Sequence, residues 1–276
     1  MHIYRSNHPD DVTKLDTEAL RERFLIDNVF KSGAINVFYV QDDRMIVGGA
    51  APVDTPLHFN DASIEVQDGT ISRREFGVIN LGGPGTIQFG TTRFDMKQRD
   101  GLYIGAGQND ITFESTDPKD PARYYIVSTP AHQVHNPTHI PFENTRRIDL
   151  GDASKANVRT IHQYVHPEIC NSAQLLMGMT LLADGSNWNT MPCHTHDRRM
   201  EVYFYFDMPT DERIFHFMGE PHETRHLVVA PEQCVIAPSW SIHCGVGTAS
   251  YGFIWSMAGE NQVFEDMDHI ATTNLK

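Results

Sequence analysis

From residue 38 onward the chain is written in short runs where bulky and β-branched residues cluster or alternate with polar ones, each run closed by Gly, Pro, Asn or Asp. Side chains on a strand change face at every residue, so runs of this length and texture predict strands rather than helices. In the first half they fall at 38–40, 45–47, 76–81, 85–89, 101–104, 111–113 and 124–127. A polar, proline-bearing stretch over 132–145 follows, and then a second set at 147–150, 158–164, 175–182, 200–206, 213–218, 225–229, 234–237 and 252–257. Helix signals are few. The best is 17–26, with Asp16 placed to cap its start and apolar residues at Leu20, Phe24 and Leu25. Many short strands separated by turns predict an all-β sandwich or barrel.

The two sets of strands read as degenerate copies, which divides the chain into domains 1–140 and 141–276. Residues 100–110 can be laid on 233–243, and this puts Asp110 where His243 stands. The copies differ in their chemistry. The second carries His194 and His196, two apart, so that on a strand both imidazoles project to the same side. Glu201 is out of phase with them by one residue, and the polar residues Asp197, Arg198 and Arg199 supply the turn that corrects it. The alternating run 200–206 then puts Glu201 and Tyr203 on one face and Val202 and Phe204 on the other. With His243 after the turn at Pro238, three imidazoles and one carboxylate form a donor set suited to Zn²⁺, Fe²⁺, Mn²⁺ or Ni²⁺. The spacing excludes the helical motif with histidines four apart. The first copy has no His-x-His and only the isolated His58 near the matching place, so one metal is expected, in the second half.

Composition narrows the partners. At 40% hydrophobic and 21% charged, the 276 residues have the makeup of a soluble globular protein. The net charge of −14 argues against nucleic acid and against anionic membrane surfaces, yet leaves room for a small anionic substrate at a locally positive site. The N-terminal residues lack the apolar core of a signal peptide and no apolar run reaches membrane-spanning length, so the expected location is the cytoplasm. The four cysteines, Cys170, Cys193, Cys234 and Cys244, show no Cys-x-x-Cys pairing and read as buried thiols. Cys193 and Cys244 each adjoin a candidate ligand, but strand alternation points them away from the metal.

The pattern of His-x-His, four residues, Glu and a distant His resembles the metal signature of the cupin double-stranded β-helix. The likeness is closer to one family within it. MPCHTHDRRMEVYFYF at 191–206, ETRH at 223–226, PSWSIH at 238–243 and WSMAGEN at 255–261 resemble the 5-keto-4-deoxyuronate isomerases, as do DGLYIG at 100–105 and DMDH at 266–269. The resemblance implies a bicupin, two jelly-roll barrels with a short N-terminal helix, that binds one Zn²⁺ per subunit through His194, His196, Glu201 and His243 and assembles as a homohexamer. It implies interconversion of 5-dehydro-4-deoxy-D-glucuronate and 3-deoxy-D-glycero-2,5-hexodiulosonate in pectin breakdown.

Such an isomerisation needs a Lewis acid at the oxygens and a base for a carbon-bound proton. Glu201, Tyr203, His226 and His162 are the candidates for proton transfer, with Glu223 a further one. For the substrate carboxylate, Arg159 and Arg225 fall within strand patterns, whereas Arg198 and Arg199 occupy the turn and are expected to face water. Three other readings fit the same ligands: a related isomerase such as 5-deoxy-glucuronate isomerase, an Fe²⁺ cupin dioxygenase, and a sugar-binding cupin whose metal is structural.

Overall fold

Residues 1–64 and 70–276 are described by a computed structural model. They divide into two compact units. The first takes Met1–Ile3, Asn28–Thr145 and Tyr164–Leu176, and the second takes Tyr4–Asp27, Arg146–Gln163 and Met177–Lys276. Each unit thus holds most of one expected half, 1–140 or 141–276, with a short segment assigned across the line in each direction.

The segment predicted as helix explains one of those assignments. Asp16 caps it by accepting from the Ala19 amide at 2.9 Å, but the helix runs Thr17–Phe24 and stops there. Leu25 is extended, and Leu25 and Ile26 pair with Val235 and Cys234 as an edge strand of the second unit. Burial of two apolar side chains in that sheet outweighs their helical propensity. A one-turn helix at Pro9–Val12 was not foreseen.

Each unit is built on a pair of antiparallel sheets whose strand order repeats, and the second unit adds a two-stranded sheet. The larger sheet of the first unit runs Ile35–Val40, Met45–Ala50, Tyr124–Pro130, Arg74–Asn80, Gly101–Ile104. Its counterpart in the second unit runs Arg159–Val165, Leu176–Leu182, Gly252–Gly259, Arg199–Phe206, Cys234–Ala237. The smaller sheets correspond in the same way: Leu57–Asn60, Asp110–Ser115, Gly85–Phe89, Thr92–Met96 against Trp188–Asn189, Cys244–Gly247, Ile214–Glu220, Glu223–Val229. This is the all-β architecture expected from the strand pattern, and it is of the cupin type that the resemblance implies.

Register carries the repeat down to single residues. Phe76 pairs with Ile104, and Glu201 pairs with Ala237. Laying 100–110 on 233–243 superposes Ile104 on Ala237, and therefore Phe76 on Glu201 and Val78 on Tyr203. The first interior is accordingly filled by Phe59, Phe76, Val78, Ile87, Leu102, Ile104, Phe113 and Ile126, all buried in one apolar cluster. Among the described residues these close-packed aliphatic and aromatic side chains offer no donor set for a metal. His58 and Asp110 do meet, at 3.0 Å, but both are about half exposed, as a surface ion pair. Among the described residues no helix is long and apolar enough to cross a membrane.

Candidate metal centre

His194 opens a two-residue strand, His194–Thr195, that pairs with Asp268–His269 near the C-terminus. Glu201 projects from the central strand Arg199–Phe206, and His243 immediately precedes the strand Cys244–Gly247. Their side chains converge as the spacing requires, all four buried. Nε2 of His194 lies 3.0 Å from Nε2 of both His196 and His243, and Oε2 of Glu201 lies 3.3 Å from His196 Nε2 and 3.0 Å from His243 Nε2. Ligands held about 2.0–2.2 Å from one ion stand about 3 Å or slightly more apart, so these separations fit a metal.

Tautomers make the fit stricter. Nδ1 of His196 faces the Asp266 carbonyl at 2.9 Å, and Nδ1 of His243 faces the Ser241 carbonyl at 3.3 Å. A carbonyl accepts, so Nδ1 of His243 carries the proton and its Nε2 turns a lone pair inward; the Asp266 carbonyl favours the same tautomer at His196, whose Nδ1 also lies 3.1 Å from Nη2 of Arg199. Lone pairs and a carboxylate crowded this closely repel one another unless a cation sits among them. Burial pushes the His194 imidazole down to about 2, with His243 and His196 adding to the shift, so it does not supply that cation by protonation. Burial alone would raise the Glu201 carboxyl, but the adjacent His243 and His196 outweigh it and hold the group well below its ordinary value. His194 and Glu201 are thus in the state a metal needs.

Arg199 departs from expectation. Instead of facing water from the turn it is 1% exposed. Its Nη1 donates to the Val263 carbonyl at 2.9 Å and its Nη2 to the Asp266 carbonyl at 2.6 Å. It thereby fixes the same carbonyl that orients His196. Burial disfavours its charge and Asp266 partly restores it. Arg198 does face water, paired with Glu260 at 3.1 Å.

The cluster opens on a cavity of about 230 Å³ lined by His194, His196, Glu201, Tyr203, Thr190 and Arg159 on its polar side. Phe253, Trp255 and Met257 form an apolar wall, and Phe264, Met267 and His269 of the C-terminal segment complete it. Tyr203 Oη is 3.2 Å from Thr190 Oγ1. Burial, reinforced by Glu201, raises its pKa well above the ordinary value, so it is a neutral phenol. Arg159 donates to the Asn157 carbonyl at 2.8 Å, and desolvation lowers its pKa without removing its charge at neutral pH.

Three expected site residues stand apart from this lining. Arg159 and Ile161 point into the cavity, so strand alternation turns His162 to the opposite face. Arg225 and His226 lie on Glu223–Val229, at the edge of the smaller sheet. Arg225 is bound to Glu223 at 2.8 Å and to the Thr13 carbonyl, and His226 is exposed beside the Phe215 ring. Glu223 is likewise spent on Arg225. Cys193 and Cys244 are buried thiols packed with Ile242, away from the lining.

Thr190 and His269 were not singled out as site residues from sequence, although His269 closes the DMDH stretch that carries part of the resemblance; the chain fold brings both to the cavity. His216 is a third. It is fully buried beside Tyr203, with ring centroids 5.6 Å apart, and its Nδ1 is 2.7 Å from Tyr205 Oη. Burial pushes it down to about 3, so it is neutral. A polar residue alternating into the run 214–220 was the available signal.

The profile described as the KduI/IolB family matches residues 30–272. The chain is 48% identical to the 4-deoxy-L-threo-5-hexosulose-uronate ketol-isomerase of Caldicellulosiruptor bescii, covering 100% of both chains. It is 49% identical to the enzyme of that name from Pectobacterium carotovorum, again over 100% of both. Among solved structures it resembles an IolB-like protein from Salmonella typhimurium, with a TM-score of 0.72 at 12% identity, covering 90% of this chain and 96% of that one. It also resembles Bacillus subtilis oxalate decarboxylase, with a TM-score of 0.58 at 7% identity, covering 87% and 78%. At such identities the structural likenesses speak for the fold alone.

Proposed function

Because the chain belongs to the KduI/IolB family, we propose that it is a ketol-isomerase interconverting 5-dehydro-4-deoxy-D-glucuronate and 3-deoxy-D-glycero-2,5-hexodiulosonate in pectin breakdown. We read residues 1–140 as a degenerate cupin domain and 141–276 as the metal-binding one, and we place the enzyme in the cytoplasm as a homohexamer with one Zn²⁺ per subunit. The observation that carries the catalytic reading is a single cavity on which three members of the His₃Glu cluster and one guanidinium, Arg159, both open.

The reaction takes a proton from the carbon bearing a hydroxyl and delivers one to the adjacent carbonyl carbon, through an enediol. A Zn²⁺ held by His194, His196, Glu201 and His243 would supply Lewis-acid polarisation of the substrate oxygens. Arg159, the guanidinium of the described lining, binds the uronate carboxylate and sets which end of the sugar faces the cluster. Tyr203, kept protonated by burial, donates a hydrogen bond to a substrate oxygen. Glu201 and His269 are the proton acceptors the lining offers. Phe253, Trp255 and Met257 exclude water from the exposed carbanion character of the intermediate.

Arg159→Gln is expected to raise KM for the uronate about 10-fold to 100-fold, the worth of a charge-assisted hydrogen bond, while metal content stays unchanged. A KM within about twofold of the parent would remove Arg159 from carboxylate binding. The reaction itself is tested by incubating the metal-loaded protein anaerobically with the products of unsaturated galacturonate cleavage and following both deoxy-ketouronates by NMR. Interconversion without oxygen is expected. No interconversion would overturn the isomerase reading, and turnover that needs oxygen would replace it with a dioxygenase.

A further inference from the structure

Behind the cavity of the metal centre, a run of hydroxyl and amide groups leads away into the interior of the second unit. Thr190 and Tyr203 line the cavity, with Thr190 Oγ1 3.2 Å from Tyr203 Oη. Asn189 Nδ2 donates to Thr190 Oγ1 at 3.0 Å, and Tyr251 Oη donates to Asn189 Oδ1 at 2.5 Å. Asn189, Tyr203 and Tyr251 are all buried. We propose, resting on the isomerase reading, that Asn189 and Thr190 are positioning residues that act through Tyr203. They occupy its phenolic oxygen as an acceptor and leave its proton for the substrate oxygen that gains negative charge on the way to the enediol.

The direction of the run follows from its one member that is not a hydroxyl. A hydroxyl donates or accepts, but an amide has a fixed polarity, its oxygen accepting and its nitrogen donating. The 2.5 Å between Tyr251 and Asn189 is within reach of an O–H···O bond and too short for N–H···O, whereas the 3.0 Å to Thr190 is an ordinary N–H···O length. Asn189 therefore turns its oxygen to Tyr251 and its nitrogen to Thr190. Burial raises the pKa of Tyr251 well above the ordinary value, so it is a neutral phenol with a proton to give, and the Gly245 carbonyl at 3.3 Å is the more distant of its two acceptors. Thr190 Oγ1 receives from Asn189, and the acceptor within reach of its own proton among the described residues is Tyr203 Oη. Tyr203 Oη has no second hydrogen-bond partner among the described residues, so its own proton is left for the cavity. No proton moves along the run; each bond polarises the next and strengthens the last donor.

The backbone is shaped around these contacts. Thr190 directly follows the strand Trp188–Asn189 and has φ of 52°, in the left-handed region that a β-branched residue enters only with strain. Strand alternation would turn two consecutive side chains to opposite faces, and this bend is what lets Asn189 and Thr190 meet. Gly245 is the register partner of Asn189, and a Cβ there would lie 2.8 Å from Asn189 Oδ1 and 3.1 Å from Tyr205 Oη. Glycine thus leaves the amide its place. At the cavity end, a donor oriented before the substrate arrives stabilises a developing oxyanion without reorganisation at the moment of reaction.

The test is a double-mutant cycle in the zinc-loaded full-length protein, read by steady-state kinetics on the deoxy-ketouronates. Thr190→Val, which keeps the shape and the β-branch, should lower kcat about 3-fold to 10-fold with KM within about twofold, as expected for a bond that strengthens only in the transition state. Thr190→Ser should recover most of that loss. Tyr203→Phe should lower kcat about 100-fold, and adding Thr190→Val to it should cost less than about a further 1.5-fold, because Thr190 acts through the hydroxyl already removed. An undiminished effect of Thr190→Val in the Tyr203→Phe background would overturn the proposal, and so would Thr190→Ser as slow as Thr190→Val. A second measurement does not depend on turnover. In protein labelled with 3-fluorotyrosine, the ¹⁹F signal missing from Tyr203→Phe identifies Tyr203; it should shift in Thr190→Val and return in Thr190→Ser. A signal that stays put in Thr190→Val would overturn the bond to Tyr203. A parent protein that turns over neither uronate but shows the expected shifts would sink the isomerase reading and uphold the bond.

Discussion

Replacing His196 with alanine is expected to strip the metal and slow isomerisation by about a thousandfold together. The magnitude follows from the several kcal/mol that a Lewis acid contributes to a developing oxyanion, at about 1.4 kcal/mol per factor of ten. His196 is the ligand most tightly coupled to its surroundings. Its Nε2 contacts both His194 and Glu201, and its Nδ1 is held by a carbonyl that Arg199 also binds. Truncation removes a lone pair from the cluster and leaves three donors where the cluster had four. Elemental analysis of the purified variant and steady-state rates on the same sample measure the two effects. Full metal content with full activity in His196→Ala would dissolve the site. The fold should persist, since Arg199 still donates to Val263 and Asp266 and the strand Arg199–Phe206 keeps both its neighbours.

The metal centre could be read from the chain because its geometry is mostly local. His194 and His196 are fixed relative to each other by two residues of extended backbone, and Glu201 by a turn and one strand. His243 was marked by the turn at Pro238 that precedes it. The alternation that put Tyr203 beside Glu201 and Ile161 beside Arg159 follows from the pleat. What could not be read depends on contacts distant in sequence. Asp268–His269 pairs with His194–Thr195 across some seventy residues, and no periodicity announces a two-residue strand. Arg199 sits in a polar run that resembles a solvated turn, and its burial is set by carbonyls at Val263 and Asp266 that local pattern does not reveal. That His226 and Arg225 stand apart from the cavity was hidden for a related reason. A strand pattern shows which residues share a face but not whether that face lines the cavity or the outside of an edge strand.

Glu75→Ala is expected to destabilise the first unit by about 3–5 kcal/mol, although Glu75 touches neither cavity chemistry nor metal. Glu75 is fully buried in the apolar run 76–81 that begins beside it, and five donors converge on its carboxylate. Oε2 accepts from Tyr103 Oη at 2.7 Å and from the Ala173 amide at 2.6 Å. Oε1 accepts from Thr129 Oγ1 at 3.1 Å and from the Gln174 and Leu175 amides, both at 2.8 Å. Three successive amides turned toward one carboxylate make an anion nest, and here the anion belongs to the chain itself. The segment Tyr164–Leu176 is thereby held to the strand Arg74–Asn80 within the first unit. Truncation orphans all five donors in a dry interior, where each lost partner costs about 1–3 kcal/mol before relaxation. Burial and the Glu75 charge together push the Tyr103 hydroxyl up, so it remains a donor with nothing to receive it. Glu75→Gln keeps an acceptor oxygen but brings an amide to face donors, so its loss should be smaller than that of alanine yet clearly measurable. Urea unfolding followed by the fluorescence and circular dichroism of both variants gives the comparison. A loss below about 1 kcal/mol in Glu75→Ala would show that water or a backbone shift satisfies the nest, and that the carboxylate is not what holds the 173–175 amides in place.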